Sequence, residues 1–291
     1  MTKPLVIVTG KNGQLGWEIL QLSETLVQSF NFLFTGRDEL DLSKPETIPA
    51  FFQKIKPDYF INCAAYTAVD KAEQENELAY KTNAESVGLI AQHCAAINAV
   101  LITISTDYVF DGNGKEPYQT NTKTNPINYY GYSKWMGEQL SLANCARTIV
   151  IRTSWVYSTH GNNFVKTMLR LMSDRPELKV VSDQIGSPTY AADLAEAILT
   201  IIDSIQNGNA HYGIYQFSNT GVISWYEFAT AIAKFASKNC NVLPILSSSY
   251  PTPAKRPGYS VMDCSDIVND YEIALKDWSN SLSKCVKLLD R

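Results

Sequence analysis

The strongest constraint on the fold is a short apolar run that ends in glycines. Leu5-Val6-Ile7-Val8-Thr9 is continuous and mostly β-branched, as a strand buried on both faces is, and it passes directly into Gly10-Lys11-Asn12-Gly13-Gln14-Leu15-Gly16. A helical pattern follows to about Leu26. Glycines at this spacing let the chain turn tightly and let backbone amides approach a pyrophosphate seated on the helix N-terminus. Alone, the motif reads equally well as a glycine-rich turn. The strand before it and the helix after it favour a dinucleotide.

The same alternation continues down the chain. Phe32–Thr35, Tyr59–Asn62, Val100–Ile104 and Thr148–Thr153 read as further buried strands, separated by helical patterns such as that from Glu77 to Asn98. Ser43 is the expected N-cap of an earlier helix whose regular part Pro49 delays. The expectation is an α/β chain with a Rossmann-type doubly wound parallel sheet over residues 1–155. Residues 156–291 read as mainly a smaller C-terminal substrate-binding lobe, with some segments returning to the Rossmann core. Asn163 is placed to cap a helix to about Ser173, and another helix is expected from Trp225 to Ser237. A proline-rich loop spans Pro251 to Pro257, ahead of a last helix near the C-terminus.

Composition narrows the partners. At 291 residues, 45% hydrophobic and 19% charged, the chain is long enough for a sizeable core, and a net charge of -4 without a basic run argues against nucleic acid and anionic membrane. No apolar stretch reaches the length of a membrane span, and the expected setting is cytoplasmic without a leader peptide. Cys63, Cys94, Cys145, Cys240, Cys264 and Cys285 form no CxxC, and His93, His160 and His211 do not pair, so no metal site is expected from these residues.

The chemistry gathers at strand ends. Tyr130 and Lys134 lie four apart at the start of a helical pattern and so share a face. A nearby ammonium is expected to lower the pKa of the phenol. Upstream, Ser105-Thr106-Asp107-Tyr108 ends a strand with two hydroxyls. Reducing a ketone needs a hydride at carbon and a proton at oxygen, so Tyr130 reads as the acid and Thr106 as the group holding the oxygen. After the second strand, Arg37 suits the extra phosphate of NADP, while the neighbouring Asp38 suits the ribose of NAD, leaving either cofactor open. The small residues of Cys63-Ala64-Ala65-Tyr66-Thr67 permit close approach of a flat ligand. Trp155, Tyr108 and Asn163 are candidates to surround a sugar ring, although Trp155 reads equally as core. Arg256 reads as a phosphate or carboxylate clamp, or as an ordinary surface arginine.

These residues resemble the extended short-chain dehydrogenase/reductase family. Four stretches, Ala64–Glu73, Ser105–Gly112, Arg152–Tyr157 and Asp183–Thr189, resemble its dTDP-4-dehydrorhamnose reductase branch, in order and over nearly the whole chain. The resemblance implies NAD(P)H-dependent reduction of the C4 keto group of dTDP-4-dehydro-L-rhamnose, a nucleotide sugar, to dTDP-L-rhamnose for polysaccharide biosynthesis. It implies Tyr130 as proton donor, Lys134 on the nicotinamide ribose and Thr106 on the substrate oxygen. Gly10, Asn12, Gly13, Gln14, Leu15 and Gly16 would meet the pyrophosphate. Asp41 and Leu42 would lie on the adenine side, and Ala64, Ala65, Tyr66 and Thr67 would meet the cofactor from the third strand. Asp107, Tyr108 and Trp155 would contact the sugar. Tyr66 departs from the histidine common in this stretch. Some relatives form magnesium-linked dimers, but no matching acidic cluster stands here, so monomer and homodimer both remain open. Two rivals share the fold. A sugar-nucleotide dehydratase would need a second carboxylate where Tyr108 stands, and a non-catalytic regulatory subunit would bind NADP without turning over. Reduction of another nucleotide keto sugar is a further alternative.

Overall fold

The computed structural model describes residues 3–290. Its centre is a six-stranded sheet of β1 (Leu5–Thr9), β2 (Asn31–Thr35), β3 (Tyr59–Asn62), β4 (Val100–Thr106), β5 (Thr148–Thr153) and β6 (Gly213–Phe217), in the order β6-β5-β4-β3-β1-β2. Every pairing within it is parallel. Alternate strand residues therefore face opposite sides, and both sides are covered. Val6, Val8, Ile61, Ile102 and Ile149 pack on one side with helix α1 (Gln14–Ser23) and the helix Ala191–Gln206. Ile7, Phe60 and Leu101 pack on the other with Ile48, Phe52 and helix α2 (Ser86–Ala96). This is why the strands read as unbroken apolar runs.

The order β2-β1-β3 has one functional consequence. The chain leaves β1 for one edge and returns on the other side of β1 as β3, so a crevice opens between their C-terminal ends. The glycine turn follows β1 and the Cys63–Asp70 stretch follows β3, which brings both expected cofactor segments to that crevice. A second core, around Tyr157, Met168, Leu178, Phe228 and Leu282, unites the helices Phe164–Asp174, Trp225–Phe235 and Trp278–Leu289 with the parallel pair Glu177–Val181 and Asn241–Ile245. The helices Ala191–Gln206 and Ser265–Tyr271, together with β6, return to the first core.

Two local expectations are corrected. Ser43 caps no helix: its amide and hydroxyl both donate to Asp41 Oδ1, at 3.0 and 2.7 Å. A 3-10 turn at Pro45–Thr47 then precedes the helix Ile48–Lys54. The pattern from Glu77 to Asn98 is also not one regular helix, because Asn76–Tyr80 leads through a π turn at Lys81–Glu85 into α2. The wider turn carries a buried asparagine, Asn83.

Candidate active site

The glycine turn is shaped by steric need. Gly10 has φ of +73°, and a Cβ there would stand 2.9 Å from the Ala64 amide nitrogen and the Cys63 carbonyl carbon. Only glycine meets both demands. A Cβ on Gly16 would lie 2.3 Å from the Gly10 carbonyl oxygen. The turn is thus bare backbone pressed against the end of β3. Gly13 caps α1 without a side-chain bond. The first-turn amides of Gln14, Leu15 and Gly16 have no intrahelical acceptor, and they present the positive end of the helix to the crevice. A dinucleotide pyrophosphate fits this cradle.

The side chains of the other expected cofactor residues are variously buried, already paired or exposed. Leu15 and Leu42 are buried in the core, at 8% and 3% exposure, and the Leu42 carbonyl accepts the Ser86 hydroxyl. The Gln14 side chain accepts from Asn163 Nδ2 at 3.0 Å. Arg37 is exposed at the end of β2, as is Asn12 in the turn. Asp41 is occupied by Ser43. Across the crevice, the Ala64 amide donates to Thr9 Oγ1 and the Tyr66 phenol donates to Glu75, while Thr67 is exposed and Ala65 half-buried.

Asn83, which the sequence reading missed, holds the Tyr66 segment in place. Its Oδ1 accepts the Tyr66 amide at 2.8 Å, and its Nδ2 donates to the Tyr66 carbonyl at 3.0 Å and to Ser133 Oγ at 3.0 Å. One amide therefore joins the Tyr66 segment to the helix that carries Tyr130. Its signal in the sequence was a polar residue at an otherwise buried helical position. Asn83→Ala would leave both Tyr66 backbone groups without these partners and is expected to destabilise the protein by about 1–3 kcal/mol. Urea unfolding checks this, and an unchanged midpoint would show the clamp to be redundant.

Helix α3 (Tyr129–Asn144) begins at Asn128, whose Oδ1 accepts the Gly131 amide at 2.8 Å. The helix starts hard against the end of β4, since a Cβ on Gly131 would fall 2.2 Å from the Tyr108 carbonyl oxygen. That contact places Tyr130 beside Thr106, Asp107 and Tyr108, with the rings of Tyr108 and Tyr130 edge to face at 5.5 Å. Thr106 is buried, and its hydroxyl donates to Asp107 Oδ1 at 2.9 Å. Burial pushes the Asp107 carboxyl up to about 6, against nearby Ser260 and Thr106 hydroxyls. Ser260 makes no well-formed bond to Oδ2, so that oxygen is buried without a hydrogen-bond partner.

The expected effect of Lys134 on Tyr130 is corrected. Lys134 is buried, and its Nζ donates to the Ile104 carbonyl at 2.6 Å. It turns inward to the strand rather than to the phenol. Burial pushes the Tyr130 phenol up to about 12, against the smaller pull of the Thr106 hydroxyl and with the Asp107 charge adding to the rise. Burial likewise draws the Lys134 ammonium down to about 8, while Glu138 and Cys63 oppose it. At neutral pH the site holds a protonated phenol and a charged lysine.

The remaining substrate candidates divide. Trp155, with φ of +50°, stacks on Trp225 at 3.7 Å between centroids and leaves no room for a side chain at Gly186. It packs against the second core while remaining partly exposed. Asn163 is committed elsewhere: its Oδ1 caps the helix through the Lys166 amide, and its Nδ2 donates to Gln14 and to the Ser158 carbonyl. Its amide is thus a clasp between the lobe and the glycine turn rather than a free ligand for a sugar. Arg256 is neither loose nor fully paired. Its Nη2 donates to Asp70 Oδ2 at 2.8 Å, whereas its Nη1 is buried without a partner.

This geometry has close relatives. The profile of the family described as RmlD substrate binding domain matches residues 4–291. A dTDP-4-dehydrorhamnose reductase of Burkholderia thailandensis is 38% identical over 97% of this chain and 98% of its own. The chain belongs to the dTDP-4-dehydrorhamnose reductase family. A solved dTDP-4-dehydrorhamnose reductase from Clostridium acetobutylicum matches with a TM-score of 0.93 at 38% identity, covering 99% of this chain and 100% of that one. One from Bacillus anthracis, solved in complex with NADP, also scores 0.93, at 39% identity and the same coverage. Membership of the dTDP-4-dehydrorhamnose reductase family agrees with the Rossmann-type sheet and the arrangement around its crevice. Among the described residues, no helix is long and apolar enough to cross a membrane, and no cluster of potential metal ligands occurs.

Proposed function

We propose that this protein reduces the C4 keto group of dTDP-4-dehydro-L-rhamnose to dTDP-L-rhamnose, with NADPH favoured and NADH accepted. The observation that carries the reading is the protonated Tyr130 phenol beside the buried Thr106 hydroxyl, at the end of β4 and next to β3, whose far side faces the glycine turn after β1. A bound reduced nicotinamide supplies the hydride. Tyr130 gives its proton to the carbonyl oxygen as that oxygen becomes an alcohol, and Thr106 orients the oxygen beforehand. Lys134, held by Ile104, offers its remaining donors to the nicotinamide ribose. Gly10, Gly13 and Gly16 keep the turn free of side chains, and the first-turn amides take the pyrophosphate. Asp107, Tyr108, Trp155 and Arg256 form the sugar side, where the unpartnered Asp107 and Arg256 atoms are natural contacts for hydroxyl and phosphate oxygens.

All six cysteines are free thiols, which suits a reducing, cytoplasmic setting. The protein acts as a monomer or homodimer, and a part for magnesium rests on the family resemblance alone. The test mixes purified protein with the keto sugar and follows nicotinamide absorbance with NADPH and NADH separately. Sugar-dependent oxidation supports the reading. Cofactor binding without oxidation overturns it, in favour of a regulatory protein or another keto sugar.

A further inference from the structure

We infer that Lys11 and Glu39 set the choice between NADPH and NADH, Glu39 being a built-in counter-ion that the extra phosphate of NADPH must displace. The inference rests on the cofactor assignment above and concerns two residues outside the set read from the sequence. Lys11 stands in the glycine turn at the end of β1, its amide donating to the Thr35 carbonyl at 3.1 Å. Its ammonium pairs directly with Glu39 Oε1. The other Glu39 oxygen accepts the Gly36 amide at 2.8 Å, which anchors the carboxylate at the end of β2. The lysine stem crosses Gly36 so closely that a Cβ there would meet Lys11 Cε at 3.2 Å. The ion pair thus bridges the ends of β1 and β2, where the adenosine ribose lies in a sheet of this order.

Both side chains are partly in water, at 32% and 45% exposure, so the pair contributes little to the fold and opens readily. Arg37 and Asp38 stand exposed beside it, giving two positive and two negative groups in all. A ribose with free hydroxyls needs only an acceptor, and Glu39 is one. A phosphomonoester brings a charge of about -1.5 to -2 and oxygens that take Lys11 and Arg37 as donors. To gain Lys11, however, it must draw it away from Glu39 and then sit beside that carboxylate. Lys11 therefore favours NADPH while Glu39 opposes it, and the near balance leaves both cofactors usable.

The test titrates NADPH and NADH into the intact protein without sugar, following nicotinamide fluorescence, for wild type, Glu39→Gln and Lys11→Met. Glutamine keeps the bond to Gly36, and methionine keeps the stem over it. Glu39→Gln is expected to tighten NADPH by roughly threefold to tenfold without tightening NADH. Lys11→Met is expected to weaken NADPH by about tenfold and leave NADH nearly unchanged. Both differences should shrink as salt rises. If each variant shifts the two cofactors equally, or neither shifts any, the pair only clips the turn and the inference falls. Wild-type protein that binds neither cofactor overturns this inference and the proposed function together. Binding with the expected shifts but no sugar reduction overturns the function alone.

Discussion

Tyr130→Phe is expected to lower turnover of the keto sugar by about 10²–10⁴-fold while leaving cofactor affinity near that of wild type. The substitution removes one oxygen from a ring already packed edge to face on Tyr108, so the fold has little to lose. The chemistry loses its proton source. Because burial holds the phenol near 12, Tyr130 carries its proton at every pH at which the protein is expected to work, and its own titration should not shape the neutral pH profile. Lys134 should. Its pKa in the cofactor-free protein is lowered to about 8, so the charged form prevails below that pH and is lost as pH rises through it. The kcat/KM for cofactor is accordingly expected to fall above about pH 8, with kcat less affected, since kcat/KM reports the free protein. Steady-state rates of Tyr130→Phe and wild type across this range check both points. Wild-type turnover in the phenylalanine variant would remove Tyr130 from the mechanism.

The sheet was legible because its first five strands are apolar on both faces, and no other arrangement buries such runs so simply. The sixth strand, Gly213–Phe217, was not. It opens on glycine at the sheet edge and its first residues are only partly buried, so it lacks that continuous pattern. The glycine turn and the meeting of Thr106 with Tyr130 followed from strand ends converging in a parallel sheet. What spacing could not reveal was direction. Lys134 shares a helix face with Tyr130, yet its long stem turns to the Ile104 carbonyl. Asn163 caps the helix as expected, but the same amide is drawn to Gln14, far away in sequence. Asn83 sits in a π turn, which a 3.6-residue periodicity does not describe. Lys11 and Glu39 look like ordinary surface charges until β1 and β2 are set side by side. In each case the missing information was a long-range partner.

The same limit hid the pair with the largest expected effect on stability. Glu138→Ala is expected to destabilise the protein by about 3–5 kcal/mol, because it strands a buried arginine. Arg152 is 2% exposed and Glu138 1%, and they meet through two bonds, Nε to Oε1 at 2.9 Å and Nη2 to Oε2 at 2.7 Å. Nη1 donates to the Thr120 carbonyl at 3.1 Å, and the guanidinium lies 5.0 Å from the centre of the Phe110 ring. These contacts tie β5 to α3 and to the loop between β4 and α3, so they fix the helix on which Tyr130 and Lys134 ride. Removing both charges is a different perturbation from removing one. Glu138→Leu combined with Arg152→Met leaves no uncompensated ion and is expected to recover most of the loss, since buried pairs often contribute little beyond an apolar replacement. The double variant should still be a poorer enzyme. Glu138 opposes the lowering of the Lys134 pKa, and without its charge the alkaline fall in kcat/KM is expected to move to lower pH. Thermal or urea unfolding of the single and double variants, with pH profiles of whichever fold, separates the two roles. A double variant as unstable as Glu138→Ala would mean that the geometry of the pair, not its charge balance, holds α3 in place.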